Sequence, residues 1–130
     1  MPGSTAEEKF ERGKVLFTEL TGRDVSKLNM GFSAFNDTTF GHLFGDIWCR
    51  DGLSLFERSL LVNAALVALG KEDELASPHA GGLLHQGFTK AQYEEMCLHL
   101  AHYSGWPTAV GGRRALAEAI AQSKDSKARL

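Results

Sequence analysis

The chain has 130 residues, of which 43% are hydrophobic and 23% charged, and its formal net charge is −2. This length suits one domain with one core, and the apolar fraction is that of a folded protein. The charge argues against a nucleic-acid or anionic-membrane partner, and two cysteines, Cys49 and Cys97, lie too far apart for a CxxC redox pair.

The first two predicted helices carry most of the aromatic residues. The first spans Thr5 to Thr21, with a capping box between Thr5 and Glu8 and a left-handed stop at Gly22. The second spans about Phe32 to Trp48. Its apolar residues at helical spacing predict either core packing or, in part, the lining of a subunit contact or pocket. They are Phe32, Phe35, Leu43, Phe44 and Ile47, with Phe40 on the flank.

The third predicted helix is apolar nearly all round. It begins at Ser54, where Glu57 completes a second capping box, and ends at Gly70. Only Asn63 interrupts its long apolar run. Such a helix is buried on most sides, and a chain of this length has few helices to surround it. We therefore expect a homo-oligomer.

The rest of the chain predicts a solvated charged turn, three helices and a polar, frayed tail. These occupy residues 71–74, His79–Gln86, Lys90–Tyr103, Pro107–Gln122 and 123–130. Ser77 would cap the first of these helices ahead of Pro78, and Thr89 with Gln92 would open the second. No segment alternates as a strand does. We predict an all-α fold, a single domain over 1–130 with about six helices in an antiparallel bundle.

Four histidines fall between residues 79 and 102: His79, His85, His99 and His102. His79 would lie in the first turn of its helix, where the positive end favours a neutral imidazole. Glu95 and His99 are four residues apart, so the carboxylate either orients the imidazole or forms a plain surface pair with it. His99 and His102 lack a third ligand at metal spacing, and we expect no metal.

Two arginines, Arg50 and Arg58, flank the loop between the second and third helices. A guanidinium binds a carboxylate in a bidentate manner, which makes both residues candidate substrate contacts. The alternative is that they are surface charges at helix ends, and composition does not separate the two.

Location follows from what the sequence lacks. No apolar stretch reaches the roughly 18 residues of a membrane span, and the first residues have no apolar signal-peptide core. We therefore expect a cytoplasmic protein with no membrane partner.

Four ordered motifs carry a resemblance to a known family. They are FGDIWCRDGL at 44–53 followed by ERSL at 57–60, ALVALGKEDEL at 65–75, His79 eight residues ahead of Gly87, and ExxxHxxxYxGxP at 95–107. Their order and spacing resemble those of the γ-carboxymuconolactone decarboxylases over residues 12–121. The resemblance implies the helical fold of the alkyl hydroperoxidase D-like superfamily and a trimer or hexamer. Thiol-based peroxide reduction is not expected, because the CxxC of those reductases is missing.

The resemblance also implies a reaction: a lyase without a cofactor converts 4-carboxymuconolactone to 3-oxoadipate enol-lactone in the β-ketoadipate pathway of aromatic (protocatechuate) catabolism. The substrate is its own electron sink, because the electrons of the departing carboxylate run through the ring alkene to the lactone carbonyl. The protein supplies a carboxylate clamp, a donor at the lactone oxygen and a proton.

Under this hypothesis eight residues have roles. His79 supplies the proton or holds the oxyanion, and His99, oriented by Glu95, is the alternative acid. The residues expected to bind substrate or wall the pocket are Arg50, Arg58, Trp48, Tyr103 and His85.

Departures from the family pattern leave alternatives open. Asp51 stands where the family usually has proline, His85-Gln86 replaces paired small amides, and one extra residue precedes His79. The chain could instead act as a decarboxylase or cyclase on a related β-keto or vinylogous acid. It could also be a catalytically silent oligomeric binding module.

Overall fold

The computed structural model describes the backbone of residues 4–128 and the side chains of residues 4–124. All regular elements in this range are helical, which confirms the all-α prediction, and none is long and apolar enough to cross a membrane. In chain order they are α1 (Ala6–Thr21), α2 (Ala34–Thr38), a first π-helical segment (Thr39–Ile47), α3 (Leu55–Ala68), α4 (Glu72–Glu74), a second π-helical segment (Leu75–His79), α5 (Ala80–His85), α6 (Lys90–Ser104) and α7 (Trp106–Ala128). Contacts divide the chain into two compact units, Met1–Arg58 and Ser59–Leu130.

Three of the four predicted N-terminal caps are present, and the prediction for Ser77 was wrong because α5 begins after His79. The hydroxyl oxygens of Thr5, Ser54 and Thr89 accept the backbone N–H groups of Glu8, Glu57 and Gln92 at 3.1, 3.1 and 3.0 Å. The stop of α1 is also confirmed, since Gly22 has a φ of 75°. The caps join residues three positions apart and the stop joins residues four apart, so all of these features have local causes.

In the first unit, α1 and the first π-helical segment touch through their backbones. A Cβ on Gly13 would lie 1.8 Å from the carbonyl oxygen of Phe40, and one on Gly45 would lie 2.0 Å from that of Lys9. Only glycine permits this approach. A chain of aromatic rings packs beside it, with centroid separations of 5.1–6.1 Å: Phe10, Phe17, Phe40, Phe44 and Trp48.

The helix predicted over about Phe32–Trp48 is present from Ala34 to Ile47, but from Thr39 it is π-helical and not α-helical. After the short α2, the chain forms hydrogen bonds five residues apart, as from the N–H of Trp48 to the carbonyl of Leu43 at 2.9 Å. The wider turn brings residues 40, 44 and 48 to one face. Four of the five predicted core positions are exposed: Phe32 (86%), Phe35 (83%), Leu43 (41%) and Ile47 (38%).

The core of the second unit joins α6 and α7 to the second π-helical segment and α5. Its fully buried side chains include Leu75, Leu83, Tyr93, Cys97 and Leu116. On α3, the buried residues are only Ser59, Asn63 and Val67. The expectation of a helix buried on most sides is therefore not met within one chain, and Leu61 remains 57% exposed.

Residues 72–74 form a single helical turn, α4; Lys71, Asp73 and Glu74 are exposed as predicted, and Glu72 pairs with Arg114 at 2.7 Å. Two further boundaries differ from the predictions. The fourth predicted helix begins at Ala80, after a cis Ser77–Pro78 bond and an extended Ser77, so His79 precedes α5 instead of lying in its first turn. The last helix continues to Ala128, so the tail prediction is wrong for 123–128, and 129–130 lie outside the described residues.

Candidate functional site

The eight predicted site residues divide between the two units. Trp48, Arg50 and Arg58 belong to the first, and His79, His85, Glu95, His99 and Tyr103 belong to the second. Arg58 is the last residue of the first unit, so the boundary falls within the first turn of α3.

A buried amide lies at the centre of the second unit. Asn63, on α3, is completely buried, and its Nδ2 donates to the carbonyl oxygens of Ser59 at 2.8 Å and His79 at 3.1 Å. Its Oδ1 accepts the hydroxyl of Tyr93 from α6 at 2.8 Å. These three bonds use both amide hydrogens and the amide oxygen, so the burial of this polar group is compensated. The network links α3, the end of the second π-helical segment and α6.

His79 is the predicted site residue that this network contacts. It is half-buried and closes the second π-helical segment, directly before α5. The segment is not helical throughout, because Ser77 within it is extended (φ −154°, ψ 109°), so His79 follows a kink in the backbone. The backbone of His79 is held from another helix through the Asn63 amide.

Tyr93 contributes a hydroxyl that stays protonated. Its side chain is fully buried, and burial raises the pKa of this phenol well above its usual value. The hydroxyl therefore remains a donor to Asn63 at every pH at which the protein would be assayed.

Two other predicted residues share a surface depression on α6. This depression, called here the α6 hollow, has a volume of about 390 Å³. Its walls are mainly apolar, and Glu95 and His99 provide its charged and titratable groups. It is lined by Leu60, Phe88, Gln92, Glu95, Met96 and His99.

His99 makes its defined contact with Tyr103 and not with Glu95. The two rings lie 5.3 Å apart between centroids, one helical turn from each other. The Tyr103 side chain is 80% exposed, so it does not exclude water within one chain. His85, at the end of α5, is also exposed.

A second depression lies between α6 and α7 and has a volume of about 370 Å³. Its wall includes Cys97 and the exposed Trp106, and Arg113 pairs with Glu94 at 3.3 Å on its rim. Burial raises the pKa of the Cys97 thiol to about 11. A thiol with such a pKa is a poor nucleophile at neutral pH.

In the first unit, Arg58 reaches back over the loop that precedes α3. Its terminal nitrogen donates to the carbonyl oxygen of Arg50 at 3.0 Å. Its Nε–H is buried and has no hydrogen-bond partner among the described side chains. Neither arginine forms an ion pair within residues 4–124, so both guanidinium groups retain donors for a bound anion.

Trp48 is buried in the first unit, and its role as a pocket wall stays a prediction. Its indole is 8% exposed and packs on Phe44, with ring centroids 5.8 Å apart. It belongs to the aromatic core of the first unit. Among the described residues no group of three or more histidine, cysteine or acidic side chains is arranged to hold a metal ion.

Asn63 and Tyr93 were not predicted as functional candidates. Asn63 is the one polar residue in the apolar run Leu60–Leu69. A polar residue inside an otherwise apolar helix has to find hydrogen-bond partners in the core, and this was the available signal. Its partners are 16 and 30 residues away, and no local pattern identifies them.

Comparison with known proteins adds a family. Residues 33–118 match the model of the carboxymuconolactone decarboxylase family. A 4-carboxymuconolactone decarboxylase from Acinetobacter baylyi is 34% identical over 106 residues, which cover 78% of each chain. The family match spans all eight predicted site residues and also Asn63 and Tyr93.

Proposed function

The chain belongs to the carboxymuconolactone decarboxylase family, and we propose that it is a carboxy-lyase that converts 4-carboxymuconolactone to 3-oxoadipate enol-lactone without a cofactor. The observation that carries this proposal is the 34% identity to the 4-carboxymuconolactone decarboxylase of Acinetobacter baylyi over 78% of each chain. We place the reaction in the cytoplasm and in the β-ketoadipate pathway of aromatic catabolism.

The chemistry requires little beyond a shaped polar site. The bond between the ring carbon and the leaving carboxylate breaks, CO2 departs, and the electron pair passes through the ring alkene to the lactone carbonyl. The resulting dienolate carries its charge on oxygen, where a hydrogen-bond donor stabilises it. A proton added at the ring carbon next to the carbonyl restores the lactone and completes the reaction.

We assign the proton or the oxyanion contact to His79. An imidazole titrates near neutrality, so it can donate a hydrogen bond to developing charge or transfer a proton at working pH. Its half-buried position and the hydrogen bond from Asn63 to its carbonyl support the assignment, because a catalytic group needs a fixed position.

His99 is the alternative acid. It lies in the α6 hollow together with Glu95, against apolar side chains that lower the local polarity. Since its ring packs on Tyr103 in the isolated chain, this role requires Glu95 to approach His99 when substrate binds.

Arg58 or Arg50 is proposed to hold the carboxylate that the substrate retains. Arg58 is favoured because its side chain is half-buried and held by the hydrogen bond to the carbonyl of Arg50, which limits the conformations it would lose on binding. Trp48, Tyr103 and His85 are proposed as further substrate contacts or pocket walls.

A second candidate is decarboxylation or cyclisation of a related β-keto or vinylogous acid. Asp51 and His85 favour it, because a carboxylate and an imidazole at these positions alter the charge that a substrate meets. A silent binding module is the third possibility, in which a ligand would raise the Tm without turnover.

We further propose that the chain is one domain that works as a homo-oligomer, a trimer or hexamer. Large apolar side chains are exposed on both units, including Phe32 (86%), Phe35 (83%), Leu61 (57%) and Leu69 (69%). Exposed apolar residues at this density mark subunit contacts. Light scattering tests the proposal: we expect a multiple of 14.2 kDa, and a uniform 14.2 kDa species would contradict it.

The experiment that separates the candidate reactions is a substrate screen with CO2 detection. The purified protein is incubated in parallel with 4-carboxymuconolactone and with a set of β-keto acids. We expect CO2 release from the lactone at a rate well above that from the keto acids. Release from a keto acid alone would favour the second candidate, and release from none would favour the binding module.

A further inference from the structure

Asn63 is the only described residue of α3 that links its helix through side-chain hydrogen bonds both to the segment ending at His79 and to α6. An unbonded amide in such a place would cost about 1–3 kcal/mol, so a hydrophobic residue would be the cheaper choice for packing alone. Position 63 nevertheless carries an amide, and both its N–H groups and its oxygen form hydrogen bonds. A requirement other than packing is the simplest reason for its presence.

The orientation of the amide is unambiguous. Ser59 and His79 present carbonyl oxygens, which only accept, so the nitrogen of Asn63 has to face them. The oxygen then faces Tyr93, whose hydroxyl donates to it at 2.8 Å. The two carbonyl oxygens therefore fix the direction of the amide, and the Tyr93 hydroxyl satisfies its buried oxygen and ties it to α6.

The bond to His79 falls where the backbone changes direction. Ser77 is extended, with φ −154° and ψ 109°, and the helix resumes as α5 at Ala80. The carbonyl of His79 lies between these two points and is held from α3 at 3.1 Å. Fixing this peptide fixes the Cα–Cβ direction of His79, from which its imidazole extends.

We infer that Asn63, with its buried oxygen bonded by Tyr93, is a positioning residue for the His79 imidazole. The inference rests on the proposed function for its catalytic meaning, while its physical content concerns only where the imidazole lies. It adds two buried residues, on α3 and α6, to the groups on which the decarboxylation depends.

The test compares three variants of the full-length protein. Tyr93→Phe removes one hydroxyl and keeps the buried ring, and Asn63→Leu removes the amide at nearly constant volume. Val67→Ala is the matched control, since Val67 lies one turn further along the same buried face of α3 and is outside the hydrogen-bond network. Each variant is examined by thermal unfolding, steady-state kinetics with 4-carboxymuconolactone, and NMR of labelled histidine.

The NMR measurement follows the Cε1–H resonances of the five histidines through a pH titration. His79→Gln identifies the resonance of His79 by its disappearance. We expect Tyr93→Phe and Asn63→Leu to change the chemical shift and titration midpoint of His79 and to leave His42 unchanged. We expect kcat to fall by about tenfold to a hundredfold, with KM within about twofold of wild type.

The control separates positioning from stability. Val67→Ala should lower the Tm and leave both the His79 resonance and kcat unchanged. If Asn63→Leu does not fold, Tyr93→Phe carries the test alone, because it retains the ring. An unchanged His79 resonance in folded Tyr93→Phe and Asn63→Leu would overturn the inference. It would also be overturned if these two variants kept the wild-type kcat while His79→Gln had a lower one. If the His79 resonance shifts in Tyr93→Phe and Asn63→Leu but His79→Gln keeps the wild-type kcat, the positioning is upheld and the proposed catalytic role of His79 is overturned.

Discussion

The hydroxyl of Tyr93 donates to the Oδ1 of Asn63 at 2.8 Å in the interior of the second unit, and this bond ties α6 to α3. The amide nitrogen of the same asparagine continues the connection to the carbonyl of His79. A residue proposed to act on substrate is thus held by two residues that would never touch it.

Replacing His79 with glutamine should lower kcat by about a hundredfold. Loss of one preorganised donor at a developing oxyanion costs on the order of 3 kcal/mol, and glutamine cannot transfer a proton. Steady-state kinetics with 4-carboxymuconolactone measure the effect, with the Tm as a check on folding. If His79→Gln turns over at the wild-type rate and His99→Ala alone is impaired, the proton role belongs to His99.

Replacing Arg58 with lysine should raise KM by about tenfold or more and affect kcat less. Lysine keeps the positive charge but loses the planar pair of donors that a carboxylate accepts, and a charge-assisted hydrogen bond is worth about 1.5–3 kcal/mol. Arg113→Lys is the matched control, because Arg113 pairs with Glu94 on the surface of the second unit. Equal KM values for Arg58→Lys and the control would argue against the clamp.

Alanine at Gly13 or Gly45 should destabilise the protein by about 1–3 kcal/mol or more. The added methyl group would overlap a backbone carbonyl at 1.8 or 2.0 Å, and the two elements would have to separate. Gly41, in the same π-helical segment, is the control, because a Cβ added there would meet no described atom within 4 Å. Denaturant unfolding measures the free energy of unfolding of all three variants. If Gly41→Ala lowered it as much as Gly13→Ala, the close backbone contact would be refuted.

The ion pair of Glu72 and Arg114 should give a stability that depends on pH. The hydrogen bond from Arg114 lowers the pKa of Glu72 below its ordinary value of 4.5. The pair therefore stabilises the folded state above pH 4.5, and this contribution is lost as the pH falls through the lowered pKa. Glu72→Gln should lower the Tm at pH 7, and the difference from wild type should vanish in acid. Asp73→Asn, at a carboxylate of the same helix that pairs with no cation among the described side chains, should show neither effect.

The features that the sequence predicted correctly are those with short-range causes. The caps at Thr5, Ser54 and Thr89 were predicted because each involves residues three apart. The π-helical turn from Thr39 was not predicted; it lies against α1 at Gly13, 27 residues before Phe40, and no local pattern indicates this contact.

The candidate site depends on both kinds of signal. Residue type and spacing made His79, His99 and Glu95 candidates, and their roles stay predictions. The sequence did not identify the support of His79, because Asn63 is a single polar residue in an apolar run and its partners are distant in sequence. The pairing of Glu95 with His99 stays a prediction, and in the structure the ring of His99 packs on Tyr103.

The most direct test of the central claim is the reaction itself, followed by NMR in D2O with dialysed protein and 4-carboxymuconolactone. We predict that CO2 is released in step with 3-oxoadipate enol-lactone carrying one deuterium at the carbon next to the lactone carbonyl. We also predict that a chelator leaves the rate unchanged and that His79→Gln loses most of it. The account would be contradicted if 4-carboxymuconolactone disappeared no faster with the protein than in a blank without it.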